Sequence, residues 1–280
     1  MRKDGVRLKN TDPMYTVVPH IMPKRSDAQN AINLDIPLEP IEKYIRQKRE
    51  EGYKLSHMGI VIAAYVRTVA EYPLLNRFIM NKKIYARNEI AVGMVVLKAS
   101  DNDSETMSKM YFEPEDDVIT VQKKIDDFVA QNRKDETQNS TDKIIKTLLS
   151  IPGLLRNGVN ILRWMDKHGL MPKAIIDASP FHNSMVITNL GSIRTNYIYH
   201  HIYDFGTTGQ IVAMGNLREV LKRKGNEITT ERCIPLGVVM DERLCSGYYY
   251  ATAFRSFTAY MKNPALLEGP PAKVVKDPCI

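Results

Sequence analysis

The chain has 280 residues, enough for one large domain or two small ones, and its 44% hydrophobic and 25% charged residues exclude a disordered protein. A net charge of +7 favours anionic partners in general terms. There are no dense Lys/Arg clusters or aromatic RNA-binding motifs, which excludes the common nucleic-acid modules.

Three cysteines (Cys233, Cys245, Cys279) without Cys-x-x-Cys or His-x-x-x-His spacing argue against a disulfide framework and against a metal site. The first residues lack the apolar stretch of a signal peptide. The longest apolar run, Ile60 to Val66, is far too short to span a bilayer. Reduced thiols and a cytoplasmic location are expected.

In chain order, residues 1–36 are mixed and polar. Tyr15 to Val18 and Ala31 to Ile36 read as extended pieces, the second alternating as a strand does. Pro37 and Pro40 open a charged helix to about Glu51 with Ile41 and Ile45 on one face, and Gly52 closes it. Ser56 is placed to N-cap a second helix, His57 to Glu71, which is apolar almost all round and should be buried. Ile84 to Ala86 and Ile90 to Leu97 read as strands, the latter covered on both faces. Residues 101–117 carry seven acids around a strand, Met107 to Phe112. Val118 to Gln131 has helical spacing of its apolar residues.

Residues 142–170 are helical, apolar and basic, broken by Pro152-Gly153, with six Lys/Arg against two Asp between 142 and 173. Strand-like runs follow at Met185–Thr188, Gln210–Met214, Ile228–Cys233 and Leu236–Met240. An amphipathic helix from Tyr248 to Met261 closes the chain. Gly206-Thr-Thr-Gly209 lacks the lysine and spacing of a P-loop and reads as a turn. Interleaved strands and helices predict a mixed α/β layer fold.

Two segments carry chemistry. Residues 185–191 read Met-Val-Ile-Thr-Asn-Leu-Gly, and residues 241–247 read Asp-Glu-Arg-Leu-Cys-Ser-Gly. The pair resembles the catalytic domain of the 2-oxo-acid dehydrogenase acyltransferases (the dihydrolipoamide acyltransferases) and, more distantly, chloramphenicol acetyltransferase. In that family a Ser/Thr-Asn-Leu-Gly strand supplies an oxyanion-stabilising hydroxyl, and an Asp-His-Arg-x-x-Asp-Gly turn supplies a general base. The resemblance covers most of the chain from about residue 14 and is strongest from Met185 to Leu267, including Lys-Asn-Pro-Ala-Leu-Leu after the last helix.

The resemblance implies a chloramphenicol acetyltransferase-like α/β fold: a two-layer sandwich of mixed β-sheet with flanking helices. It implies one acyltransferase-like domain over 1–280, with a helical insertion at about 140–172 and no lipoyl or subunit-binding domain. It also implies a homotrimer with sites between subunits, no resident cofactor, and coenzyme A or an acyl-pantetheine thioester as co-substrate. A separate lipoyl or acyl-carrier protein is the partner it suggests. The insertion reads as a core-packing element, a lid, or a segment lying on an anionic membrane.

By position, Thr188 matches the oxyanion donor; the plain reading is a strand threonine bonded to backbone. Glu242 stands at the family's histidine. A carboxylate is a weak base at neutral pH unless burial raises its proton affinity, and the plain alternative is an ion pair with Arg243. Ser246 stands at the family's aspartate, which pairs with an arginine, so that arginine should have changed partner as well. Gly247 should preserve the turn. Asn189, Gly191, Ser246 and Gly247 are the positions expected to contact the thioester ligand.

His200 and His201 lie in the segment the resemblance places along the substrate channel. Either offers a base suited to pH 7, or both pack with Tyr199 and Tyr203. His57 and His182 are weaker alternatives. Cys245 lacks the surroundings of a nucleophile. Two functions stay open: an acyltransferase with altered catalytic residues, and an inactive scaffold or acyl-ligand binding pseudoenzyme of the same fold.

Overall fold

The computed structural model describes residues 2–97, 105–132, 150 and 154–280. The first half of the expected insertion lies outside them. The strands are β1 (Gly5–Arg7), β2 (Gln29–Pro37), β3 (Arg77–Met80), β4 (Lys83–Arg87), β5 (Ile90–Leu97), β6 (Glu105–Phe112), β7 (Met185–Asn189), β8 (Gln210–Met214), β9 (Arg218–Lys224) and β10 (Glu227–Asp241). The helices are α1 (Pro13–Ile21), α2 (Leu38–Glu50), α3 (His57–Glu71), α4 (Val118–Asn132), α5 (Leu154–His168), α6 (Lys173–Ala178) and α7 (Gly247–Lys262).

The main sheet runs β2-β10-β8-β7-β5-β6, with β9 also paired to β10. The pairs β5/β7 and β7/β8 are parallel and the others antiparallel, so the sheet is mixed. Strand alternation divides its residues between two faces. Met185, Ile187, Val212, Met214, Leu236 and Val238 pack with apolar residues of α2, α3, α4 and α7 in the main core. Val186, Ile211 and Val239 point the other way, against Ile202. These four helices therefore form one layer, and an irregular segment covers part of the second face. A small sheet, β1-β4-β3, packs Ile79, Ile84 and Ala86 against Leu8 and Leu244.

Several helix boundaries follow from local chemistry. The Ser56 hydroxyl accepts from Gly59 N at 2.9 Å and starts α3 where expected. Gly52 follows α2 with φ +92°, a conformation suited to glycine. The later part of the stretch expected as an insertion is α5, closed by Gly169 at φ +69°, where Leu170 N donates to Met165 O at 2.8 Å.

Other expectations change. Tyr15 to Val18 is helical rather than extended, because Asp12 accepts from Met14 N at 2.8 Å and Pro13 pre-sets the first turn. The two runs at 228–233 and 236–240 form one strand, β10. Pro235 sits between its β9-paired and β8-paired stretches, where neither ladder uses a proline N–H.

Candidate functional site

The second face of the sheet holds a cavity of about 300 Å3. Alternation along β7 turns Val186 and Thr188 toward it, away from the helices. Val95, Met107 and Ile211 add its apolar wall, and His200 and Tyr203 close it from the covering segment. Glycines let that segment approach: a Cβ at Gly215 would stand 2.3 Å from Tyr197 N, and one at Gly237 would stand 2.4 Å from the Tyr197 ring.

Within the cavity, Thr188 Oγ1 lies 3.4 Å from His200 Nε2. That is a long contact for a hydroxyl and an imidazole. Burial, reinforced by the adjacent His201, holds the His200 imidazole below the ordinary histidine value. It is therefore neutral at pH 7, with a lone pair available for a proton. His201 faces elsewhere. Its Nδ1 lies 3.2 Å from Gln29 Nε2, and Gln29 Oε1 accepts from Ile202 N. The two histidines have separate surroundings, which adjacency in sequence could not show.

Glu242 is not part of this cavity. Its carboxylate accepts from Asn30 Nδ2 at 2.6 Å, and its N–H donates to Ala28 O. Thr188 aligns with Ala213, and Ala213 with Gly237. Glu242 lies five residues further along the chain, roughly 16 Å at strand spacing. The expected ion pair with Arg243 is replaced by another. Asp241 accepts from Arg243 Nε and Nη2 at 2.8 and 2.7 Å, and Arg25 Nε lies 3.9 Å from the same carboxylate.

One buried carboxylate thus serves two buried guanidiniums. Their remaining donors reach backbone oxygens of Met22, Ile79 and Tyr203. Among the described residues no arginine pairs with Ser246. The Ser246 hydroxyl instead caps α7, accepting from Tyr249 N at 3.2 Å, while its N–H donates to Tyr15 Oη. Gly247 does not hold the turn: it opens α7 without positive φ, and a Cβ there would meet open space. The Asp241–Arg243 pair and the Ser246 cap do that work. Asn189 is exposed, its carbonyl accepting from Ser192 Oγ at 2.6 Å. Gly191 lies close to Gly215 O, which a Cβ would approach to 2.9 Å. Burial pushes the Cys245 thiol up to about 12, so it is no nucleophile at neutral pH.

A buried chain of contacts joins His182, a weaker candidate from the sequence, to Ser179, Asp166 and Arg2, which the sequence did not single out. His182 Nδ1 lies 2.7 Å from Ser179 Oγ and its Nε2 lies 3.1 Å from Asp166, which pairs with Arg2 at 2.7 Å. The order Ser–His–Asp resembles a hydrolytic triad, but Ser179 and His182 line neither the Thr188 cavity nor the other cavities found. It fastens α5 and α6 beside the sheet. Asn189, expected as a ligand contact, also lines the Thr188 cavity, as do its neighbours Leu190, Ser192 and Ile193, whereas Val95 and Met107 come from distant strands and left no sign in the sequence. Among the described residues no cluster of three metal-ligating side chains occurs.

No family model matches the sequence, and no curated protein matches it closely. Solved structures do match in fold. A probable dihydrolipoamide acetyltransferase from Listeria monocytogenes 4b F2365 superposes with a TM-score of 0.58 at 14% identity, covering 91% of this chain and 94% of that one. The cubic core of a pyruvate dehydrogenase multienzyme complex gives 0.61 at 10% identity, covering 90% and 87%. A chloramphenicol acetyltransferase gives 0.54 at 11% identity, covering 93% and 100%. The chain has the chloramphenicol acetyltransferase-like fold, shared with the 2-oxoacid dehydrogenase catalytic core, in a divergent sequence.

Proposed function

We propose that the protein transfers an acyl group from a thioester, with Thr188 and His200 as its reacting pair. The observation that carries this reading is their meeting in one cavity on a fold shared with acyltransferases. The neutral His200 imidazole removes the proton from an acceptor hydroxyl or thiol. The freed oxygen or sulfur attacks the thioester carbonyl, and the Thr188 hydroxyl turns to donate to the resulting oxyanion. Collapse expels the thiolate, which takes the proton back from His200. Acyl-coenzyme A or another acyl-pantetheine thioester is the donor, and a separate lipoyl or acyl-carrier protein is the partner that would present or receive the acyl group. Glu242 of a neighbouring copy remains the alternative base if the site forms between subunits of a trimer.

The second reading is an inactive acyl-ligand binding protein. The bond from Asn30 to Glu242 and the long Thr188–His200 contact favour it. A thiol-release assay with acyl-coenzyme A, run beside calorimetry, separates the two. Turnover that drops ~100-fold in Thr188→Ala supports the oxyanion role. Ligand binding without release across a panel of acceptors establishes the inactive reading.

A further inference from the structure

A groove of about 570 Å3 opens between α5, the β3–β4 turn and the segment after α1. Six cationic side chains line it: Lys24, Arg25, Lys82, Arg163, Lys167 and Arg243. Only two carboxylates, Asp166 and Asp204, share the lining, and both are already engaged. Asp166 pairs with Arg2 and His182, and Asp204 accepts from Arg25 N, Ser26 N and Ser26 Oγ. Arg25 and Arg243 are committed to Asp241 and to backbone oxygens, as described above. Lys24, Lys82, Arg163 and Lys167 are exposed and form no ion pair among the described residues.

Four like charges gathered at one concavity repel one another, so their convergence contributes nothing to folding. They come from three separate segments, with Arg163 and Lys167 one helical turn apart on α5. Lys82 keeps its place with a left-handed backbone, φ +60°, in a two-residue turn where glycine is the usual occupant. Guanidinium forks and lysine point charges both suit phosphate oxygens, and one carboxylate would neutralise only one of the four.

We infer that this groove binds phosphate groups carried by a multiply charged ligand, of the nucleoside diphosphate or pyrophosphate ester class. The groove shares no lining residue with the Thr188 cavity, and the inference does not depend on acyl transfer. A negative thiol-release assay leaves it untouched.

The test uses the full chain and its one tryptophan, Trp164, which adjoins Arg163 on α5 and is 55% exposed. Pyrophosphate, ADP and phosphatidylglycerol vesicles are titrated separately, following Trp164 emission and binding heat at two salt concentrations. Phosphatidylcholine vesicles serve as the control. Saturable binding is expected, weakened at least about tenfold in Lys82→Glu/Arg163→Glu and weakened further by salt. Binding of pyrophosphate or ADP assigns a soluble ligand, and binding of anionic vesicles alone assigns the phosphates to lipid headgroups. The inference is overturned if none of the three binds, or if the double variant and Lys167→Glu bind as well as the wild type. These side chains are exposed, so unchanged melting temperatures will show that the variants fold.

Discussion

At the scale of single residues, the chemistry rests on how burial sets proton affinity. His200 sits low because its cavity disfavours the imidazolium and His201 adds positive charge. If it is the base, the acid limb of kcat/KM should fall below the ordinary histidine value of ~6.5. His200→Asn should abolish that limb; a profile unchanged by the substitution would remove His200 from the mechanism.

Lys109 offers a test of the fold alone. Its Nζ donates to Ile176 O and His182 O, and burial pushes its ammonium down to about 7. Between that value and ~10.4 the unfolded chain binds the proton and the folded one does not. The unfolded state therefore loses its advantage as pH rises, and stability should increase across this window. Lys109→Met should flatten that part of the urea-denaturation profile, and an unaltered slope would contradict the assignment.

At the scale of elements, the turn after β10 shows how a divergent motif keeps its shape. Asp241 holds Arg243 and approaches Arg25, all three buried. Removing the carboxylate strands two guanidiniums away from water. Asp241→Asn should cost about 3–5 kcal/mol in denaturant melts; a loss below 1 kcal/mol would mean the backbone acceptors suffice.

Elements with a strong local signal were legible in the sequence. The Ser56 cap, Gly52 and the helical spacing of α4 and α7 each act within a few residues. Elements that depend on a distant partner were not. β1 and β3 are short and exist as strands through pairing with β4. β9, Arg-Glu-Val-Leu-Lys-Arg-Lys, carries too much charge to read as a strand and is held by its ladder to β10.

At the scale of the whole molecule, exposed apolar side chains cluster along the covering segment and the neighbouring hairpin. Ile193, Ile198, Tyr199, Leu221 and Ile228 are all exposed. Tyr197 contacts Tyr199 on one side and lies under Arg218 of β9 on the other, which brings the two segments together. A self-association surface of this kind suits the proposed trimer. Sedimentation should give a trimer for the wild type and smaller species for Ile198→Lys/Leu221→Lys. A monomeric wild type would refute the trimer, and with it the shared-site role for Glu242. Among the described residues no helix is long and apolar enough to cross a membrane.

The amino-acid sequence by itself determined the layer class, most helices, the central strands and Thr188 as the residue to examine. Those features follow from periodicity, capping and a short motif, all of which are local along the chain. Only the tertiary structure decided that His200 rather than His201 meets Thr188, and that Glu242 lies toward the other end of the sheet. It also decided that Asp241 is the carboxylate that holds Arg243 and approaches Arg25. The groove joining Lys24, Lys82, Arg163 and Lys167 belongs to the same group. Each of these is a meeting of residues far apart in the chain, set by strand register and burial, for which no local pattern leaves a sign.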